Sequence, residues 1–292
     1  MAAPAAFADE PLRLAALAPT NAAEANGTAR PLDLGALDIA APQTGQMLQI
    51  GYEIHVGGFH LASVDLVEVV DGNHYVAATL LTTKGLAEAI DSSDIKAVST
   101  GNIQGHLVIP RTYNSDVTTT DNHQLVGLLF DHGEPLSVDS HPTYDLMRYP
   151  VAPELKLNTV DPLSAALFLS LGSSVDDTAK CGRTVPIFDG KRRYNLKLNY
   201  IHDDSISLGR DGYNKGKPIP ALMCRVSYER VAGFKPPKPG RKPPQWPLID
   251  IWLAPIKGTD FLVPLRMQAS TEFGGVVVRA VRMKVQPDGN PT

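Results

Sequence analysis

No run of about 18 uncharged apolar residues occurs in this chain of 292 residues, so the sequence holds no transmembrane helix. Recognisable catalytic motifs are missing too. There is no G-x-S-x-G elbow, no Walker A loop, no H-E-x-x-H, no C-x-x-C and no Rossmann glycine fingerprint. These absences remove the common hydrolase, nucleotidase, zinc-protease, dithiol and dinucleotide readings. Aromatic residues make up 7% and do not cluster with the basic ones, and no helix-turn-helix or RNA-recognition signature is present. Nucleic acid is therefore not an expected partner. Cysteine is scarce, with two in the whole chain, Cys181 and Cys224.

Turns, by contrast, are plentiful. Gly and Pro number 24 each, which favours many short elements over long helices. Leu48, Ile50, Tyr52, Ile54 and Val56 alternate with polar or small residues, the period-2 pattern of a strand with one buried face. Gly57-Gly58 and Asp71-Gly72 then turn the chain into strands near Phe59–Val70 and His74–Thr83. Further strands are expected near Ala97–Pro110 and Gln124–Phe130, with a polar loop at Asn114–Asn122 and a proline-containing surface connection over Pro142–Asn158.

The C-terminal half reads as hairpins. Val185 and Ile187 lead to Asp189-Gly190, and strands follow through Tyr194–Tyr200, Leu222–Tyr228, Leu248–Pro255, Phe261–Ala269 and Val276–Val285. The strongest helix signal starts at Asp161, a good N-cap, with Pro162 at the first helical position. Leu163, Ala166, Leu167, Phe168, Leu169 and Leu171 make it apolar all round, so it should be buried, with Gly172 as its stop. A minor helix is expected within residues 84–94. About ten to twelve strands without βαβ alternation predict a mostly β chain: a large antiparallel, strongly curved sheet, open or spiral-barrel in form. Residues 47–286 form one β-rich domain in this reading, with a tail over 287–292. Residues 1–46 carry little to bury and read as a disordered or loosely attached segment that follows a removed signal peptide.

Charge is unevenly divided. Residues 1–179 hold 7 Lys+Arg against 22 Asp+Glu, whereas residues 180–292 hold 20 against 9. Either the halves attract one another within one fold, or the basic half offers a face to an anionic partner such as lipid head groups or a cell-wall polymer. Candidate anion or partner contacts are Arg192 and Arg193, after the Asp189-Gly190 turn, and Lys235, Lys238, Arg241 and Lys242 in the proline-rich stretch 235–244. The plainer reading of Arg193 is pairing with a strand neighbour such as Glu229, with Asp189 shaping the turn.

Asp131, His132, Glu134, Asp139 and His141 form the densest polar cluster, but their spacing matches no metal site and they read as a solvated loop. His55, His60 and His74 lie in the first three strands and could approach one another. No cofactor is expected. The two cysteines, 43 positions apart, either close a long loop or stay as buried thiols. A disulfide would require an oxidising compartment.

Cys181-Gly-Arg-Thr-Val-Pro-Ile-Phe-Asp-Gly-Lys-Arg-Arg-Tyr-Asn-Leu196 and Cys224-Arg-Val-Ser-Tyr-Glu-Arg-Val-Ala-Gly-Phe234 are distinctive. With Val160-Asp-Pro-Leu-Ser-Ala165 and Tyr52-Glu-Ile-His-Val-Gly-Gly-Phe-His-Leu-Ala62, they resemble a bacterial exported family filed as domain of unknown function 3108. The resemblance implies a periplasmic protein shaped like lipoprotein-carrier half-barrels or the spiral sheet of envelope integrity protein B. It adds weight to the pairing of the cysteines and supplies no catalytic residues. The expectation is a non-enzymatic protein of the cell envelope, peripheral at most to the membrane, that binds a lipid, lipoprotein or envelope protein. The alternatives are an interaction module built on the 235–244 loop, or a cell-wall hydrolase using Asp131, His132 and Glu134.

Overall fold

The computed structural model describes residues 45–84, 93–105, 107–172, 181–208, 216–237, 240, 246–257, 259–271 and 274–286. The minor helix expected within 84–94, the segment before residue 45, the C-terminal tail and the side chains of Lys238, Arg241 and Lys242 lie outside the described residues.

Seven strands form a first meander: β1 (Gln46–Val56), β2 (Phe59–Asp71), β3 (His74–Thr83), β4 (Ser93–Gln104), β5 (Leu107–Thr119), β6 (His123–Asp131) and β7 (Glu134–His141). Two helices follow, α1 (Pro153–Lys156) and α2 (Pro162–Ser170). A second meander comprises β8 (Thr184–Phe188), β9 (Arg193–Ile206), β10 (Ile219–Ala232), β11 (Ile249–Pro255), β12 (Leu262–Thr271) and β13 (Gly274–Gln286). All thirteen strands belong to one antiparallel sheet, in the order β7-β6-β5-β4-β3-β2-β1-β13-β12-β11-β10-β9-β8. The first and last strands join the meanders, with Leu48 opposite Val285 and Tyr52 opposite Ala280. Among the described residues no ladder joins β7 to β8, so the described sheet is not closed.

Three expectations are corrected. The single strand near Ala97–Pro110 is two strands, β4 and β5, turned at Gly105, whose φ of 59° is in the left-handed region that glycine adopts without strain. The loop expected over Asn114–Asn122 is mostly strand: β5 runs on to Thr119, because its β-branched threonines suit a half-exposed pleat as well as a loop. Glu134, Asp139 and His141 lie on β7, behind a tight turn at His132-Gly133, rather than in a loop. The Asp189-Gly190 hairpin forms as expected. Asp189 sits at its entry and accepts hydrogen bonds from the backbone N–H of Lys191 (3.0 Å) and Arg192 (2.6 Å).

Helix α2 lies against strands of both meanders, touching β3, β4 and β5 on one side and β8 and β12 on the other. Its N-cap Asp161 accepts hydrogen bonds from the N–H groups of Leu163 and Ser164, both at 2.9 Å. The same fully buried carboxyl accepts from Ser99 Oγ on β4 (2.9 Å) and from Ser164 Oγ, and Ser164 in turn meets Tyr75 Oη on β3 at 2.6 Å. This cluster ties the start of the helix to the first meander. At its other end Gly172 N donates to Asp260 O at 2.7 Å, tying the helix to the second.

Leu163 and Leu167 pack with Leu48, Tyr75 and Tyr113, whereas Ala165 packs with Leu198, Leu222 and Leu253. Successive residues of β10 (Leu222, Met223, Cys224) enter alternate clusters, so that strand is buried on both faces. Cys181 and Cys224 form a disulfide within the second cluster, with Cα atoms 5.6 Å apart.

The two charge-biased halves do attract one another across the β13-β1-β2 junction. Arg279 bridges to Glu53 at 3.0 Å and Arg282 to Asp65 at 2.7 Å. Arg282 reaches Asp65 by lying over Gly51, where a Cβ would stand 2.7 Å from its guanidinium. Among the described residues no helix is long and apolar enough to cross a membrane.

Candidate functional site

Among the basic residues of the second meander, four are held in ion pairs and four others stand together. Lys197 pairs with Glu229 at 2.8 Å, Arg225 with Asp250 at 2.7 Å, and Arg279 and Arg282 are bridged as above. Lys191, Arg192, Arg230 and Lys235 make no ion pair with any described carboxylate, and they gather in one place.

Local sequence explains that gathering. β10 places Tyr228 and Arg230 two residues apart, hence on one face. Gly233, at φ 82°, then turns the chain hard against the β8-β9 turn, where a Cβ would stand 2.9 Å from the Arg192 Cα. Only glycine fits both the conformation and the space. The turn carries Phe234 beneath two guanidinium groups: Arg230 Cζ lies 4.3 Å and Arg192 Cζ 5.9 Å from its ring centre. Tyr228 stacks on Tyr194 at 4.8 Å, meets Phe234 edge-on at 6.3 Å and meets Trp246 at 5.2 Å. Tyr228, Phe234 and Trp246, with the four cations, Tyr149 and Pro247, line a surface pocket of about 420 Å³ whose described lining holds no carboxylate. Asp189, at the adjoining turn, is committed to the turn backbone; burial raises its pKa, and the backbone N–H groups and charges of Arg192 and Lys191 oppose that rise. Trp246 is 62% exposed.

Arg192 and Lys235 thus share one pocket. Arg193 points elsewhere and donates to Leu155 O (2.9 Å), Tyr194 O (2.6 Å) and Asn195 Oδ1 (2.8 Å). Tyr228, Arg230, Phe234 and Trp246 were not legible as site residues. The signal available was the Tyr-Glu-Arg-Val-Ala-Gly-Phe stretch, whose alternation reads equally well as a plain strand. A second surface pocket, about 530 Å³, lies beyond Pro247, but its Arg225 and Asp250 neutralise each other.

Among the described residues, the acidic and histidine candidates read from the sequence stay apart from this pocket. His132 Nδ1 meets Asp131 at 2.6 Å, both side chains stand largely in solvent, and Glu134, Asp139 and His141 are exposed along β7. No group of three His, Cys, Asp or Glu able to hold a metal is present among the described residues. His55 and His60 stack at 5.2 Å, while His74 lies at the start of β3 beside Asp71 and Asn102. Glu68 is buried on the inner side against α2. Ser170 donates to its Oε1, and its Oε2 and the Tyr52 hydroxyl have no hydrogen-bond partner. Burial pushes the Glu68 carboxyl up to about 8.

The family model described as "Protein of unknown function (DUF3108)" matches residues 51–281. No curated protein matches. Among solved structures, the chain is similar to a β-barrel-like protein of domain of unknown function DUF1849 from Brucella abortus. That likeness has 8% identity and a TM-score of 0.47, covering 84% of this chain and 99% of the other. The chain belongs to the DUF3108 family.

Proposed function

We propose that this DUF3108 protein is a non-enzymatic binding protein of the cell envelope, working in the periplasm, that holds an anionic partner in the Arg192–Arg230–Trp246 pocket. The observation that carries this reading is that Lys191, Arg192, Arg230 and Lys235 line one pocket whose described lining holds no carboxylate, with the Lys191 ammonium resting over the Tyr144 ring at 4.6 Å. Asp189 beside the pocket offsets part of the charge of Arg192 and Lys191; the repulsion that remains among the four cations is what an incoming anion relieves. The disulfide favours an oxidising compartment.

We further read the sheet as strongly curved, because one helix touches strands from near both of its ends. A helix and apolar side chains on the inner side argue for a partner bound on the sheet rather than within it. Lys235, which lines the pocket, is the first residue of the basic proline-rich stretch.

The test is co-sedimentation with vesicles of phosphatidylglycerol, with vesicles of phosphatidylcholine and with purified cell-wall sacculi. The protein should bind an anionic material, less so as salt rises, and Arg192→Ala/Arg230→Ala/Lys235→Ala should lose most of that binding while melting normally. Equal binding by the variant, or no binding to any of the three, would overturn the proposal.

A further inference from the structure

We propose that the pocket recognises an acidic pyranoside, a sugar ring carrying a carboxylate or a phosphate, and that Trp246 is the surface on which the ring stacks. This inference rests on the envelope-binding reading above and names the class of ligand.

The rings of the pocket are not equivalent. One face of Phe234 is covered by Arg230 at 4.3 Å. Tyr228 is held between Tyr194 and Trp246. Trp246, at 62% exposure, is the ring left open to a ligand. An exposed indole is costly to leave in water and is a good platform for the apolar C–H face of a sugar. The other tryptophan, Trp252, is buried and donates its Nε1–H to Asp204 at 2.7 Å, so ring exposure is not a general habit of this chain.

The anion-binding end is equally defined. Arg192 and Arg230 converge on the same phenyl ring, and guanidinium groups carry the paired donors that suit carboxylate and phosphate oxygens. Lys191 and Lys235 add charge to the lining. A lining of cations and hydroxyl-bearing rings, next to an exposed indole, suits a ligand rich in hydroxyl groups. It does not provide the enclosed apolar slot that an acyl chain needs. A volume of about 420 Å³ is that of a small-molecule site.

The experiment titrates the purified full chain with tetragalacturonate, glucose 6-phosphate, maltotetraose, adenosine monophosphate and inorganic phosphate. It reads tryptophan emission and heat of binding. Tetragalacturonate or glucose 6-phosphate should bind and shift the emission, and which of them binds tells a carboxylate source from a phosphate source. Maltotetraose should not bind. Trp246→Ala, at an exposed position, should keep the fold by circular dichroism and weaken the acidic sugar at least tenfold. Arg230→Gln should weaken it comparably. Phosphate or adenosine monophosphate binding as tightly as the sugars, or acidic-sugar binding unchanged in Trp246→Ala, overturns the sugar inference and leaves the anion pocket standing. Failure of every anion here and in sedimentation overturns both.

Discussion

The Ser170 hydroxyl, in the last turn of α2, donates to the Glu68 carboxyl on β2 at 3.2 Å, and the other Glu68 oxygen has no partner. A buried carboxyl with one hydrogen bond is far easier to keep neutral than charged. Glu68 therefore couples the seating of the helix to pH. Burial pushes its folded pKa up to about 8, above the ordinary value of about 4.5, so the native state holds this proton more tightly than the unfolded chain does. The stabilisation is complete below about 4.5 and is lost as pH rises towards 8. The slope in that window is about 1.4 kcal/mol per pH unit at most for one proton. Urea melts from pH 5 to 9 should show this decline from Glu68. Glu68→Gln, which keeps the neutral shape, should flatten it and raise stability at pH 8. Parallel curves for the two proteins would show that Glu68 does not titrate this way.

The disulfide should be needed for stability and not for partner capture. Closing a loop of 43 residues contributes about 3–4 kcal/mol in the chain-entropy model. Cys181→Ser/Cys224→Ser should lower the urea midpoint accordingly and leave vesicle or sugar binding, measured below that midpoint, within twofold. Thiol titration of the unfolded, unreduced wild type should find no free thiol.

Asp161 should be the most sensitive polar residue of the fold. It accepts four hydrogen bonds while fully buried, two from the helix N-terminus and two from serines. Asp161→Ala removes a cap and strands buried donors, a loss of about 3 kcal/mol. Tyr75→Phe, which removes one partner of Ser164, should cost about 1 kcal/mol. Chemical denaturation would rank them, and a smaller loss for Asp161→Ala than for Tyr75→Phe would contradict this account.

Two glycines in strands should differ sharply. At Gly51 a new methyl group meets the far end of Arg282, which can swing away at the expense of its bridge to Asp65. At Gly101 it meets the Ile109 carbonyl and the fixed Tyr75 ring. Gly51→Ala should cost about 1 kcal/mol and Gly101→Ala about 3 kcal/mol or more. Their thermal midpoints test the order.

Much of the strand inventory was legible because β1 and β9–β13 carry clean alternation or turn dipeptides. The β4-β5 turn was hidden because Gly105 lacks the Asn or Asp neighbour that usually marks a hairpin. The threonines of β5 fit loop and strand alike. The β1-β13 pairing was not legible, since nothing local in Leu48 points to Val285. The site was half legible. Arg192 and Lys235 stood out by charge, but Tyr228, Phe234 and Trp246 meet only after Gly233 folds the chain back. An alternating Tyr-x-Arg on a strand gives no hint of an aromatic cluster.

The junction of β1 with β13 also governs when the molecule can be finished. β2 covers one side of β1 as soon as the first hairpin forms, but its other side waits for the last strand to be made. Until then the backbone N–H and C=O groups along that edge of β1 are open to any passing strand. Such long-range pairing is slow to find. The half-made chain therefore has a sticky seam for most of its synthesis. Shielding of the nascent chain should raise the yield of native protein more than any change to the core does.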